Sequence, residues 1–183
     1  MEKDLFERLG MKSKWRIDKF RDPTGQIERD LRAGKRLQEA IEDYEKFYIG
    51  TEEFEGNIAL NEGLQELIRL IAGTGDTPTA WNNANAYLGV GDSNAAENAT
   101  QTGLQAATNK TWKAMDATYP QRTNQTCDWR ATFGSGDANY AWEEYTVVNA
   151  SSDTGKNLNR KISSKGTKAS GESWTLSLQI TFS

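Results

Sequence analysis

The chain of 183 residues contains no histidine, one cysteine, three prolines and three methionines. Without histidine there is no Ser-His-Asp or Cys-His arrangement, no imidazole base and no His-containing zinc site. A single cysteine, Cys127, excludes an intrachain disulfide and any multi-cysteine cluster. Between Thr126 and Asp128 it reads as a small buried hydrophobe rather than a nucleophile. No apolar run approaches the roughly 20 residues that cross a bilayer, so no membrane partner is expected. The 22 Lys and Arg are interleaved with 26 Asp and Glu, for a net charge of -4. Nucleic-acid binding rests on clustered cations, so nucleic acid is not an expected partner. The opening residues Met1 to Asp4 lack the basic-then-apolar layout of a signal peptide, so synthesis in the cytosol is expected. Any catalysis must rest on carboxylates, Lys or Tyr.

What is present in quantity is aromatic: six each of Trp, Tyr and Phe, in a chain only 36% apolar. Large rings fill a core with few residues. The composition changes near residue 55, from charges of both signs to Asn, Thr, Ser, Gly and Ala. Residues 1–55 are therefore expected to form a charged N-terminal arm, extended and helical, and residues 56–183 a separate domain. Within the arm, Asp4 to Leu9 is a short amphipathic turn, and the Asp22-Pro23-Thr24-Gly25 run is a breaker. Helix is predicted from Gln26 to about Tyr48, where Leu37, Ile41, Tyr44 and Tyr48 make one apolar stripe. An isolated helix of this length is marginal in water, so stripe and flanking rings need cover. That cover is expected on another polypeptide. The partner-binding residues are then Trp15, Ile17, Phe20, Leu31, Leu37, Ile41, Tyr44 and Tyr48.

The second segment opens with a strand at Phe54 to Leu60 and a helix at 61–72. Asn61 is its expected N-cap, Leu64, Leu67, Ile68 and Ile71 its buried face, and Gly73 its C-cap. Strands are predicted at 86–90, 111–115, 127–133, 142–149, 158–163 and 174–182. In the last of these Trp174, Leu176, Leu178, Ile180 and Phe182 alternate with polar residues. The fold class is mainly β (α+β): an antiparallel β-sandwich or jelly-roll-like barrel with one packed helix.

Candidate chemistry is thin. Gly89-Val90-Gly91 lacks the lysine and following helix of a phosphate loop and reads as a strand-ending turn. Asp92, Asn94 and Glu97, with Asp76 and Asn98 nearby, offer oxygens to calcium but not at EF-hand spacing. Glu143 and Glu144 are adjacent on a strand and point to opposite faces. Asp116, Asp128 and one of these glutamates make the only carboxylate set to weigh for glycoside hydrolysis. Trp81, Tyr87, Tyr119 and Tyr140 lie in or near loops, where rings stack on sugars. The Asn-x-Ser/Thr triplets at Asn98, Asn109, Asn124 and Asn149 are what an Asn/Thr-rich chain produces by chance. No enzyme, metal or cofactor is expected.

A set of stretches in the second segment carries a resemblance. They run in order: GNIALNEGLQELI from Gly56, WNNANAYLGVGDS from Trp81, QTGLQ from Gln101, KAMDATYP from Lys113 and WRATF from Trp129. LNRK from Leu158, GTKASG from Gly166 and WTL from Trp174 complete it. Together, over about residues 56–183, the chain resembles tailed-bacteriophage virion structural proteins. The resemblance implies a place in the particle without activity or cofactor. It leaves open a capsid decoration (cement) protein, a tail or head fibre, and a neck component. With the arm, the expectation is a decoration protein on the capsid exterior, present in the host cytoplasm during assembly. Its partners are then the major capsid protein and copies of itself, as a trimer or other symmetric oligomer. A fibre or neck role in host attachment, and a glycan-binding module, are the alternatives.

Overall fold

The computed structural model describes residues 10–73 and 77–183. The amphipathic turn expected at Asp4 to Leu9 lies outside them, as does Asp76. Among the described residues the chain is mainly β, with two antiparallel five-stranded sheets and three helices. In chain order the elements begin β1 (Lys12–Arg21), α1 (Gln26–Arg32), α2 (Leu37–Asp43) and a 3-10 turn at Glu45–Phe47. Next come β2 (Tyr48–Glu55), β3 (Ile58–Ala59), α3 (Asn61–Ala72), β4 (Tyr87–Gly91) and β5 (Lys110–Ala114). The last are β6 (Gln121–Thr123), β7 (Thr126–Phe133), β8 (Glu144–Val148), β9 (Asn159–Ile162) and β10 (Glu172–Thr181). The sheets run β2-β1-β10-β7-β6 and β3-β9-β8-β4-β5.

Both sheets feed one core cluster. Trp15 and Ile17 of β1 join Leu176, Leu178 and Ile180 of β10, Leu88 and Val90 of β4, and Tyr145 and Val147 of β8. At its centre Trp142 meets the rings of Phe133 and Trp174, each at 4.9 Å, and of Tyr145 at 6.3 Å.

Residues 10–55 of the expected arm do not stand apart from the rest of the chain. Strand β1 pairs with β10 along its whole length, from Lys12 opposite Thr181 to Arg21 opposite Glu172, and with β2 on its other side. Trp15, Ile17, Phe20 and Leu31, expected to meet a partner, are between 0% and 1% exposed within this chain. Lys14, Arg16 and Asp18 alternate onto the opposite face, Lys12 and Arg21 end the strand and Lys19 lies over the Trp174 ring, so a half-buried strand reads as a charged segment.

The helix predicted over 26–48 is broken in two. Gly34, at a positive φ of 101°, turns the chain between α1 and α2. Asp22 caps α1 from outside, accepting from the Ile27 and Glu28 amides, and is itself held by the Ser173 hydroxyl. The stripe is nonetheless real. Leu37, Ile41, Tyr44 and Tyr48, all half-buried, pack on Phe20, Ile27, Leu31 and Ala40. Phe20 alternates with Trp15 and Ile17, so it emerges on the other face of its sheet, and the helical connection folds back to cover it. Arg130 of β7 ties this cover down, donating to the Leu31 carbonyl at 2.8 Å and to Asp116 at 2.9 Å.

Candidate functional site

The feature most at odds with a self-contained fold is α3. Its apolar residues repeat at helical spacing, which fixes which of them share a face but not which face turns inward. The expected inward face was Leu64, Leu67, Ile68 and Ile71. The structure turns it out: Ile68 is 62% exposed and Ile71 75%, with Leu64 and Leu67 half-buried. The inward residues are Gly63 and Glu66, with Leu70 reaching the core cluster.

Three contacts on the inner side impose this orientation. A Cβ on Gly63 would stand 2.4 Å from Leu158 Cα, so only glycine lets the helix approach there. Glu62 accepts from the Asn157 amide and from its side-chain nitrogen, at 2.9 and 3.0 Å. Glu66, almost wholly buried, accepts from the Thr79 amide at 2.6 Å and from Arg69 at 2.8 Å. Buried carboxylates need such partners, and Thr79 and Asn157 supply them from the segments the helix packs on. Leu60 rather than Asn61 holds the N-cap position, and Gly73 ends the helix at φ 63° as expected. The aliphatic row is thus left facing outward. Among the described residues the other exposed large hydrophobics are Phe47, just before edge strand β2, and Ile49 within it, at 43% and 45%.

The candidate catalytic groups are engaged elsewhere. Asp116 accepts from Arg130 and from the Thr132 amide and hydroxyl, each at 2.9 Å. Burial pushes its carboxyl above the ordinary value, with Arg130 opposing. Asp128 is bonded by Gln179 at 2.8 Å. Glu144, wholly buried, accepts from the Gln105 and Ala106 amides and from Arg160 Nε, at 2.7–2.8 Å. Arg160 Nη2 also lies 2.7 Å from Glu144 Oε2, but off the line of its N–H. The three carboxylates therefore serve three separate networks and do not face a common space. Glu143, turned the other way, is bonded by Ser164.

For calcium, Asp92 holds Asn109, and Glu97 holds the Ile162 amide and lies 3.8 Å from Lys161. Among the described residues no group of three or more His, Cys, Asp or Glu is placed to hold a metal ion. Gly89 and Gly91 sit inside β4 rather than in a turn. A Cβ on Gly89 would meet Trp112 and Thr146, and one on Gly91 the Glu144 carboxylate. Burial pushes the half-buried Cys127 thiol up to about 11, which keeps it protonated.

The rings weighed for sugar stacking belong to the body of the protein. Trp81 is buried and donates to the Lys156 carbonyl, and Tyr119 lies under the Arg130 guanidinium at 4.4 Å. Tyr87 is half-buried. The Tyr140 hydroxyl donates to the Val90 carbonyl or the Thr111 hydroxyl, at 3.1 and 2.9 Å. Burial pushes its phenol up from 10.0 to about 12. The unfolded chain therefore loses this proton first. The contribution of Tyr140 to stability is complete below pH 10 and disappears as pH rises through about 12. Tyr140→Phe should cost about 1 kcal/mol near neutrality through the lost hydrogen bond. Its Tm should also fall less steeply than that of the native chain above pH 10, as thermal melts across that range will show. Parallel curves would remove Tyr140 from the alkaline transition.

Comparison with family models, with curated proteins and with solved structures found no match.

Proposed function

We propose that this chain is a structural virion protein, a capsid decoration protein that binds the outer shell without turning over a substrate. The observation that carries the reading is α3, seated by Gly63 and Glu66 so that Ile68 and Ile71 stand exposed beside half-buried Leu64 and Leu67. An aliphatic row that is exposed at two positions and half-buried at two, on a rigidly held helix, fits an apolar groove in a larger partner. The resemblance of residues 56–183 to tailed-phage virion structural proteins supports a place in the particle, and we take the partner to be the major capsid protein. We read the body as a β-sandwich, supported by the single core cluster that both sheets supply. Copies of the chain would cluster around the shell's symmetry axes, outside the capsid. Docking in this reading passes from Trp15, Phe20, Tyr44 and Tyr48, whose rings are engaged inside the fold, to α3.

The test is a binding assay with purified shells lacking the protein. The native chain should bind saturably. Ile68→Asp combined with Ile71→Asp should reduce occupancy at least about tenfold, because each buried charge costs several kcal/mol at an apolar interface. The Tm of the double variant should match that of the native chain, since both side chains are exposed. Unchanged occupancy overturns the role of α3. Labelled protein found only on tails of intact virions overturns decoration and leaves a fibre or neck component.

A further inference from the structure

Lys168 is an enclosed lysine that the proposed function does not use; its residue is 1% exposed. Its Nζ donates to two uncharged acceptors, the Gly134 carbonyl at 2.7 Å and the side-chain oxygen of Asn139 at 2.9 Å. The Asn139 carboxamide is held from its other end, where its nitrogen donates to the Ser135 carbonyl at 2.9 Å. The backbone keeps the two segments side by side: Lys168 N donates to Tyr140 O at 3.1 Å, and Thr167 forms a bridge with Ala141. The charged groups that face Lys168 are Asp137, Glu172 and Glu28, with Lys113 as the second cation. Asp137 is itself occupied, accepting from Lys113 and from the Gly134 amide. Burial is the larger influence on the ammonium and pushes it from 10.5 down to about 8. Roughly a tenth of the amine is then neutral at pH 7.

A desolvated lysine is a competent nucleophile, and a fixed neighbour raises its effective concentration. A carbonyl bond of about 1.23 Å puts the Asn139 Cγ within about 4 Å of Nζ, close to attack distance. We propose that Lys168 and Asn139 join in an intramolecular isopeptide bond. The neutral Nζ attacks the Asn139 Cγ, the Nζ–Cγ bond forms and the Cγ–Nδ2 bond breaks. One amine proton passes to the departing nitrogen, which leaves as ammonia. Nothing is oxidised or reduced and no cofactor takes part. The link ties the Gly134–Tyr140 loop covalently to the segment that leads into β10.

Intact-mass measurement of the full chain, purified and then held at about pH 9 where the amine is neutral, tests this. The native protein should be lighter than its sequence mass by one ammonia. A proteolytic digest should contain a branched peptide joining Lys168 to Asn139. Lys168→Arg, which keeps a charge and hydrogen-bond donors, and Asn139→Ala should both keep the full sequence mass, folded or not. A native chain at full sequence mass, or a mass deficit that maps to other residues, overturns the proposal and leaves Lys168 a hydrogen-bonded structural lysine.

Discussion

A chain that begins at residue 56 is expected to show no cooperative thermal transition. Removing residues 1–55 removes β1 and β2, and β1 is an inner strand of its sheet, paired on both sides. Trp15 and Ile17 leave the central cluster, and Phe20 leaves the smaller one with the helices that cover it. Truncating one buried Trp or Phe costs about 3–5 kcal/mol, against a total stability of about 5–15 kcal/mol for a domain. The loss of two such rings and of Ile17 consumes that margin. Strand β10 would also become an edge with ten residues of unpaired backbone, a template for aggregation. Circular dichroism melts and the dispersion of amide resonances decide the matter. A sharp melt with dispersed resonances would mean that the leading segment is dispensable after all.

Replacing Glu144 by Ala is expected to cost about 3–5 kcal/mol, the penalty for leaving a buried charge without its partner. For a domain of this size that lowers Tm by about 6–20 °C. Both Glu144 and Arg160 have wholly buried side chains. The glutamate also accepts the amides of Gln105 and Ala106, so its loss leaves two amides and Arg160 Nε without an acceptor, while Arg160 Nη1 keeps Ala95 O and Gln101 Oε1. Leu104 and Ala106 are buried beside it, and the connection from β4 to β5 should become open to proteases. Replacing both members, Glu144→Leu with Arg160→Met, should cost clearly less than Glu144→Ala alone. Denaturant titration of the three variants checks the order. A double variant worse than the single would mean that packing, not charge, governs the site.

The strongest periodic signals were legible. In β10 the alternation marked Trp174, Leu176, Leu178 and Ile180 as inward, and all four are nearly or wholly buried. Strand β7 follows the same logic through Trp129, Ala131 and Phe133. Local pattern suffices there because a strand with one buried face must alternate. The Glu144–Arg160 pair was not legible. Its members lie 16 residues apart on neighbouring strands, and an adjacent glutamate, Glu143, looks identical in sequence yet stays on the surface. Gly91 was the available clue. A glycine inside a strand signals a close approach, and here the approaching group is the Glu144 carboxylate.

The sequence by itself determined the secondary-structure class, the alternation of the strands and the absence of histidine chemistry, because these depend on residue type and local spacing. It also defined the apolar sets on the leading segment and on α3. Which surface covers each set was decided only in three dimensions. The leading stripe finds its cover in this chain because Lys12 to Arg21 pairs with Glu172 to Thr181, across most of the sequence. Ile68 and Ile71 of the α3 row are left exposed because Gly63 and Glu66, not the leucines, fit against Leu158 and Thr79. Periodicity reports that residues share a face. Long-range pairing and steric fit decide what that face meets.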